Sequence, residues 1–238
     1  MARIIDETEF IEITHRWKNC IDQIQPANMY DYFKNNKGEF LEGYKITFVE
    51  YLELINSVGT HLYKARFGLL QDESLNHPMF TLILWGVDKN GNETTGYLLL
   101  EASDMKFDEV VHTGKIADII GQQRLAAWSA MGQSNRENVP LKLFKLDAYG
   151  GSSLQGYNYK PDDFFNIFAG FQNHKMEDVA VHFDFCCLSF DYQNNESQNG
   201  YFDLLISALI LKEGTQSYEG SSFYDAGAPC PPLCNGGD

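Results

Sequence analysis

Hydrophobic positions recur at helical spacing near the start of the chain. Phe10, Ile13, Trp17, Cys20, Ile21 and Ile24 share one face of a helix. Asp6 and Glu9 stand at capping-box spacing, Ile5 and Phe10 bracket them as a hydrophobic staple, and Pro26 ends the run. A short helical turn is expected near Met29 to Phe33. The same start signal returns at Thr47 and Glu50, with Ile46 and Tyr51 as the staple. Leu52, Leu54, Ile55 and Val58 then continue a second helix until Gly59 stops it.

The period then changes to two. Leu62 to Leu69, Met79 to Val87 and Thr95 to Ala102 read as strands, and Asn90-Gly91 reads as a tight hairpin turn between the last two. A third helix is expected after Thr113, using Ile116, Ile119, Ile120, Leu125, Trp128 and Met131, and Gly132 closes it. Leu141 to Ala148 looks like a further strand.

Gly150-Gly151-Ser152-Ser153 is the best internal break, around 150–160. Pro161 opens a helix at the position where its missing N–H costs nothing, and Phe164, Phe165, Ile167, Phe168 and Phe171 make that helix aromatic. Asp178 to Phe190 and Tyr201 to Leu211 read as long strands joined by a polar loop at 193–200, the second being readable as a buried helix as well. Residues 1–212 thus predict one domain. Residues 213–238, rich in Gly, Ser and Pro, predict a mobile tail carrying Cys230 and Cys234. The element order lacks regular β-α alternation. It predicts an α+β fold: a largely antiparallel sheet of meander and hairpins, with amphipathic helices packed on one side.

Composition changes the picture in one respect. Hydrophobic residues make up 44% of the 238, ordinary for a folded protein, but 33 Asp and Glu against 18 Lys and Arg leave a formal charge of −15. An excess of carboxylates disfavours direct nucleic-acid binding, which draws on Lys and Arg to neutralise phosphates. The apolar run Leu204 to Leu211 is far short of the ~20 residues that cross a bilayer, so no membrane role is expected. The opening Met-Ala-Arg-Ile-Ile-Asp-Glu turns acidic at once, without an apolar core or cleavage site. With an odd number of unevenly spaced cysteines, this predicts a cytoplasmic protein with mostly reduced thiols.

Several chemical motifs fail on spacing. Gly151-Ser152-Ser153 lacks the second glycine of a nucleophile elbow, and His112-Thr113-Gly114-Lys115 lacks the rest of a phosphate loop. Glu12 and His15 have a metal-type spacing but lie on the water side of the first helix.

Three features survive. In Asp178 to Cys187, strand geometry puts Val179, Val181, Phe183, Phe185 and Cys187 on one face and His182, Asp184 and Cys186 on the other. Imidazole, carboxylate and thiol are the groups of metal sites and thiol nucleophiles, so His182, Asp184 and Cys186 are the catalytic candidates; a polar strand face with small buried thiols explains the same residues. Cys230 and Cys234, three residues apart, suit a small disulfide loop, half a zinc site or free thiols. A full zinc site needs two further ligands, and Cys186 with His182 or Cys187 is the set that could complete it. Tyr149, Tyr157 and Tyr159 flank the Gly/Ser break, placed either to line a groove or to cover the core edge.

Two function classes lead. The first is an acidic protein that binds a partner protein, of the inhibitor or immunity type, against a basic target. The alternative is a metal- or thiol-dependent enzyme using His182, Asp184 and Cys186. A third treats the C-terminal segment as a modifiable peptide on a folded carrier.

Overall fold

The computed structural model describes residues 2–23, 28–55, 57–71, 77–103, 110–112, 116–133, 137–146, 151–169, 174–188, 201–211, 218–220 and 228–230. In chain order its elements are β1 (Arg3–Ile5), α1 (Glu7–Asp22), β2 (Gly43–Thr47), α2 (Phe48–Ile55), β3 (Leu62–Leu70), β4 (Met79–Val87), β5 (Tyr97–Leu99), β6 (Glu101–Ala102) and β7 (Val110–His112). There follow α3 (Ile116–Ser129), β8 (Lys145–Leu146), β9 (Ser152–Ser153), β10 (Gly156–Tyr159), α4 (Pro161–Ala169), β11 (Val179–Leu188), β12 (Tyr201–Leu211), β13 (Tyr218–Gly220) and β14 (Ala228–Cys230).

The fold is α+β, as the pattern predicts, and its strands are shared between two six-stranded sheets. The first runs β1-β5-β4-β3-β10-β14, the second β6-β2-β11-β12-β13-β7, and β8 with β9 forms a separate pair. Every pairing is antiparallel except β13 with β7. Alternation explains how the sheets meet. Tyr63, Ala65 and Phe67 of β3 and Phe80, Leu82 and Leu84 of β4 share one core with Val181, Phe183 and Phe185 of β11 and Phe202, Leu204 and Ile206 of β12. Phe80 against Phe185 (centroids 5.4 Å apart) and Phe67 against Phe202 (5.4 Å) mark the contact between the sheets.

The helix starts follow from their caps. The Glu9 N–H donates to Asp6 Oδ1 at 2.8 Å, while the Glu9 carboxylate turns outward to Arg3. At α2 the box is reciprocal: Thr47 N–H donates to Glu50 Oε2 at 2.7 Å and Glu50 N–H to Thr47 Oγ1 at 3.3 Å. Helix α1 covers the outer face of the first sheet, where Ile13 belongs to a second cluster with Ile83, Trp85 and Leu99. One turn on, Trp17 enters the main core edge-on to Phe67, Phe80 and Phe144, and its Nε1–H donates to Leu154 C=O at 2.8 Å. Trp128 of α3 is anchored the same way on Leu41 C=O, 2.9 Å away.

Asn90-Gly91 lies in a turn as expected. Gly91 has φ +87°, and Asp88 accepts from the Asn90 and Asn92 N–H groups and from Asn92 Nδ2. These bonds, led by the one from the Asn92 side chain, hold the Asp88 carboxyl below its ordinary value.

Four local expectations change. The stretch Thr95 to Ala102 is two strands, because the chain passes from one sheet to the other at Leu100. Helix α2 ends at Ile55 rather than Gly59, and Val58 is 98% exposed. Leu141–Phe144 is a 3-10 turn that buries Leu143 and Phe144, and among the described residues of this stretch the strand is Lys145–Leu146. In the C-terminal segment read as a mobile tail, Tyr218–Gly220 and Ala228–Cys230 are strands, one in each sheet. Tyr201 to Leu211 is a strand, paired along ten residues with β11. The expectations for Ile24, Tyr149, Phe171, Cys234 and the loop 193–200 fall outside the described residues, as do those for the side chains of Ile55, Ile116, Ile119 and Ile120.

Candidate functional site

The alternation of β11 places its polar residues as expected. His182, Asp184 and Cys186 point away from the inter-sheet core, opposite Ser207, Leu205 and Asp203 of β12. This face is covered rather than solvated. His182 is 3% exposed and Cys186 fully buried, because β11 is an interior strand and α3 lies against its Cys186 end. Leu125 of α3 packs with Cys186 and Leu205 there.

His182 and Asp184 do meet. His182 Nδ1 lies 2.6 Å from Asp184 Oδ1, and Ser207 Oγ donates to Asp184 Oδ2 at 2.8 Å. The carboxylate is therefore the middle of the row and fixes both neighbours. This is not a nucleophile triad, which needs the hydroxyl on the imidazole rather than on the carboxylate. The ring sits over Gly43, where a Cβ would come 2.6 Å from its Cε1. His182 Nε2 is buried with no hydrogen-bond partner. Ser207 carries no motif of its own, and only the β11–β12 register, invisible in sequence, brings it to the row.

Cys186 stands apart. It is two residues beyond Asp184, and its near neighbours are Leu125, Leu205 and the register partner Asp203, which Arg124 approaches at 3.6 Å. Burial first, then the Asp203 charge, pushes the Cys186 thiol well up; burial pushes Cys187 up to about 12. Both are held as thiols at neutral pH and lack the thiolate that a nucleophile or metal ligand needs. Cys187, expected in the core, is there; Cys186, expected to be accessible, is as buried as its neighbour. Alkylation of the native protein at pH 8, mapped by peptide mass, should accordingly modify half-buried Cys20 first and reach Cys186 and Cys187 only on unfolding. Labelling of Cys186 at the rate of Cys20 would contradict this.

The long-range zinc closure is not assembled. Cys230 belongs to the first sheet, His182 and Cys186 to the second, and Cys230 is disulfide-bonded. Among the described residues no group of three or more His, Cys, Asp or Glu is placed to hold a metal ion. Tyr157 and Tyr159 line no groove either. Both face the inter-sheet core from β10, and Tyr157 donates its hydroxyl to Phe202 C=O at 2.8 Å.

A concave surface lies elsewhere among the described residues. Ile4, Glu50, Glu53, Leu54, Ser57, Glu93, Thr94, Thr95, Gly96 and Leu98 line a cleft of about 460 Å³ between β1, α2 and the approach to β5. Its lining contains three carboxylates and no Lys, Arg or His. Beside them Ile4, 58% exposed, is the apolar side chain that the cleft presents, Leu54 and Leu98 being buried beneath. Burial, reinforced by Glu7 and opposed by Lys64, raises the Glu93 carboxyl above its ordinary value. Three carboxylates with no cation in the lining give the cleft a negative charge, which favours an incoming cation. Sequence reasoning missed this site because three separate segments build it; of its carboxylates only Glu50 was visible, as a capping residue.

Among the described residues no helix is long and apolar enough to cross a membrane. No protein-family model matches the chain, and no curated protein or solved structure matches it either.

Proposed function

We propose that this chain is an acidic docking protein that binds a basic partner protein, in the manner of an inhibitor or immunity-type protein, through the cleft lined by Glu50, Glu53 and Glu93. The observation that carries the reading is the lining itself, three carboxylates beside exposed Ile4 with no cation among them. A Lys or Arg side chain fits such a surface in two parts, its aliphatic stem on Ile4 and its charged head among the carboxylates. The net charge of −15 adds long-range attraction, which speeds encounter with a basic surface.

The test uses a labelled, Lys-rich amphipathic peptide as probe and fluorescence anisotropy as readout. Exposed charges are screened over ~8 to 10 Å at physiological salt, so affinity should fall roughly tenfold between about 0.02 M and about 0.15 M salt. Binding insensitive to salt would remove the electrostatic basis of the proposal.

A further inference from the structure

The acidic cleft adjoins an open sheet edge. Strand β1 ends the first sheet, pairing with β5 as Arg3 with Leu99, Ile4 with Leu98 and Ile5 with Tyr97. Among the described residues no strand lies on its other side. A strand in that position directs part of its N–H and C=O groups outward, where an extended chain can pair with them. Folded proteins usually blunt such an edge with a proline, a bulge or a charge. The opposite edge of this sheet is blunted in that way, with Pro229 at the centre of β14. In contrast, β1 pairs residue for residue without a bulge, and its central residue is the exposed Ile4.

Alternation sets what an added strand would meet. Ile4 shares a face with its register partner Leu98, and both line the cleft with Glu50, Glu53 and Glu93. Arg3 and Ile5 turn to the other face. There the Arg3 guanidinium is held by Glu9, and Ile5 is buried in one cluster with Ile13 and Trp85. The single cation of β1 is thus engaged away from the cleft. A peptide laid beside β1 keeps its pleat in step with that strand. Side chains level with Ile4 would therefore enter the cleft, and the intervening ones would lie on the α1 side.

We propose that the basic partner docks by strand addition: an extended segment with Lys or Arg at every second residue pairs with the outer edge of β1 and directs those cations to Glu50, Glu53 and Glu93. The inference rests on the docking reading above, and adds to it the conformation of the partner segment and the spacing of its cations. Main-chain bonds hold the segment against β1, while the carboxylates select its side chains. They also fix the register, because a slip of one residue turns every cation away from the cleft. A three-residue edge offers few bonds, so backbone pairing and ionic contacts are both needed for a stable complex.

Labelled peptides of alternating Lys and Thr, read by fluorescence anisotropy at low salt, test this mode on the full chain. Methylating backbone nitrogens removes N–H donors and leaves the side chains in place. One peptide carries the methyl groups on its lysine nitrogens, a second on its threonine nitrogens. Successive N–H groups of a strand point to opposite sides, so only one of the two sets faces β1. One methylated peptide should therefore bind roughly tenfold more weakly than the parent, and the other within about twofold of it. If both methylated peptides bind as the parent does, or both are weakened equally, strand addition is overturned. The docking reading survives that result as long as the Glu53→Lys, Glu93→Lys chain still binds the parent peptide more weakly. If the charge reversal changes nothing, or the parent peptide does not bind, the docking reading falls and this inference falls with it.

Discussion

Raising the pH from 8 to 10.5 should cost the fold about 2 to 3 kcal/mol through Cys187 alone, with a further loss in the same direction from Cys186, a large share of the stability of many domains. The cause is the pair of thiols at Cys186 and Cys187. In the unfolded chain a cysteine ionises near ~8.5. In the fold, burial holds Cys187 up to about 12 and Cys186 well up. The folded values are raised, so this stability is fully present below the unfolded value and is lost as pH climbs toward the folded one. The phenols extend the loss upward: burial raises Tyr63 to about 12, and raises Tyr44, Tyr51 and Tyr157 as well. Urea midpoints measured across this range provide the check. The double variant Cys186→Ala, Cys187→Ala should flatten the profile between pH 8 and 10. A wild-type midpoint equal at pH 8 and 10.5 would mean that these thiols are not buried as described.

Replacing Gly156 by Ala should destabilise the protein by about 3 kcal/mol or more. Gly156 has φ +147°, a region left almost wholly to glycine, and a Cβ there would sit 2.0 Å from Ala65 C=O and 2.9 Å from Arg66 Cα. Those atoms are backbone of β3, fixed by pairing to β4 on their far side, so they cannot yield as a flexible side chain would. Gly151→Ala is the control. Its φ is +75° and no atom lies within 4 Å of the new methyl, so only backbone strain of about 1 to 2 kcal/mol is expected. Thermal or urea unfolding of the two variants separates the effects. A Gly156→Ala protein as stable as Gly151→Ala would contradict the close approach of β10 to β3.

Local signals carried the fold a long way. Capping residues are neighbours in sequence, so Asp6 with Glu9 and Thr47 with Glu50 marked both helix starts, and Pro161 marked a third. Alternation fixed which residues of β11 face together, and with it the meeting of His182 and Asp184. What sequence could not supply was distance along the chain folded into distance in space. An unbroken apolar run from Tyr97 to Leu100 hides the step between sheets, because both sheets reward the same side chains. The polar face of β11 looks solvated until α3 is placed over part of it. Ser207 becomes a partner of Asp184 only through the register of two strands. The Gly- and Pro-rich C-terminal segment, whose composition suggests mobility, supplies a short strand to each sheet, β14 at the edge of the first and β13 between β12 and β7 in the second. The acidic cleft is the extreme case, with Ile4, Glu53 and Glu93 brought together from remote positions.

The docking account rests on where the carboxylates stand and not merely on how many there are. Reversing Glu53 and Glu93 to Lys in one chain, and Glu12 and Glu39 to Lys in another, changes the net charge equally. All four residues are exposed, and only the first two line the cleft. With the Lys-rich amphipathic probe at low salt, the cleft pair should weaken binding at least tenfold, about 1.4 kcal/mol, and the control pair by a factor of about two or three. Equal weakening by the two pairs would mean that only total charge matters, and the cleft would not be the binding site.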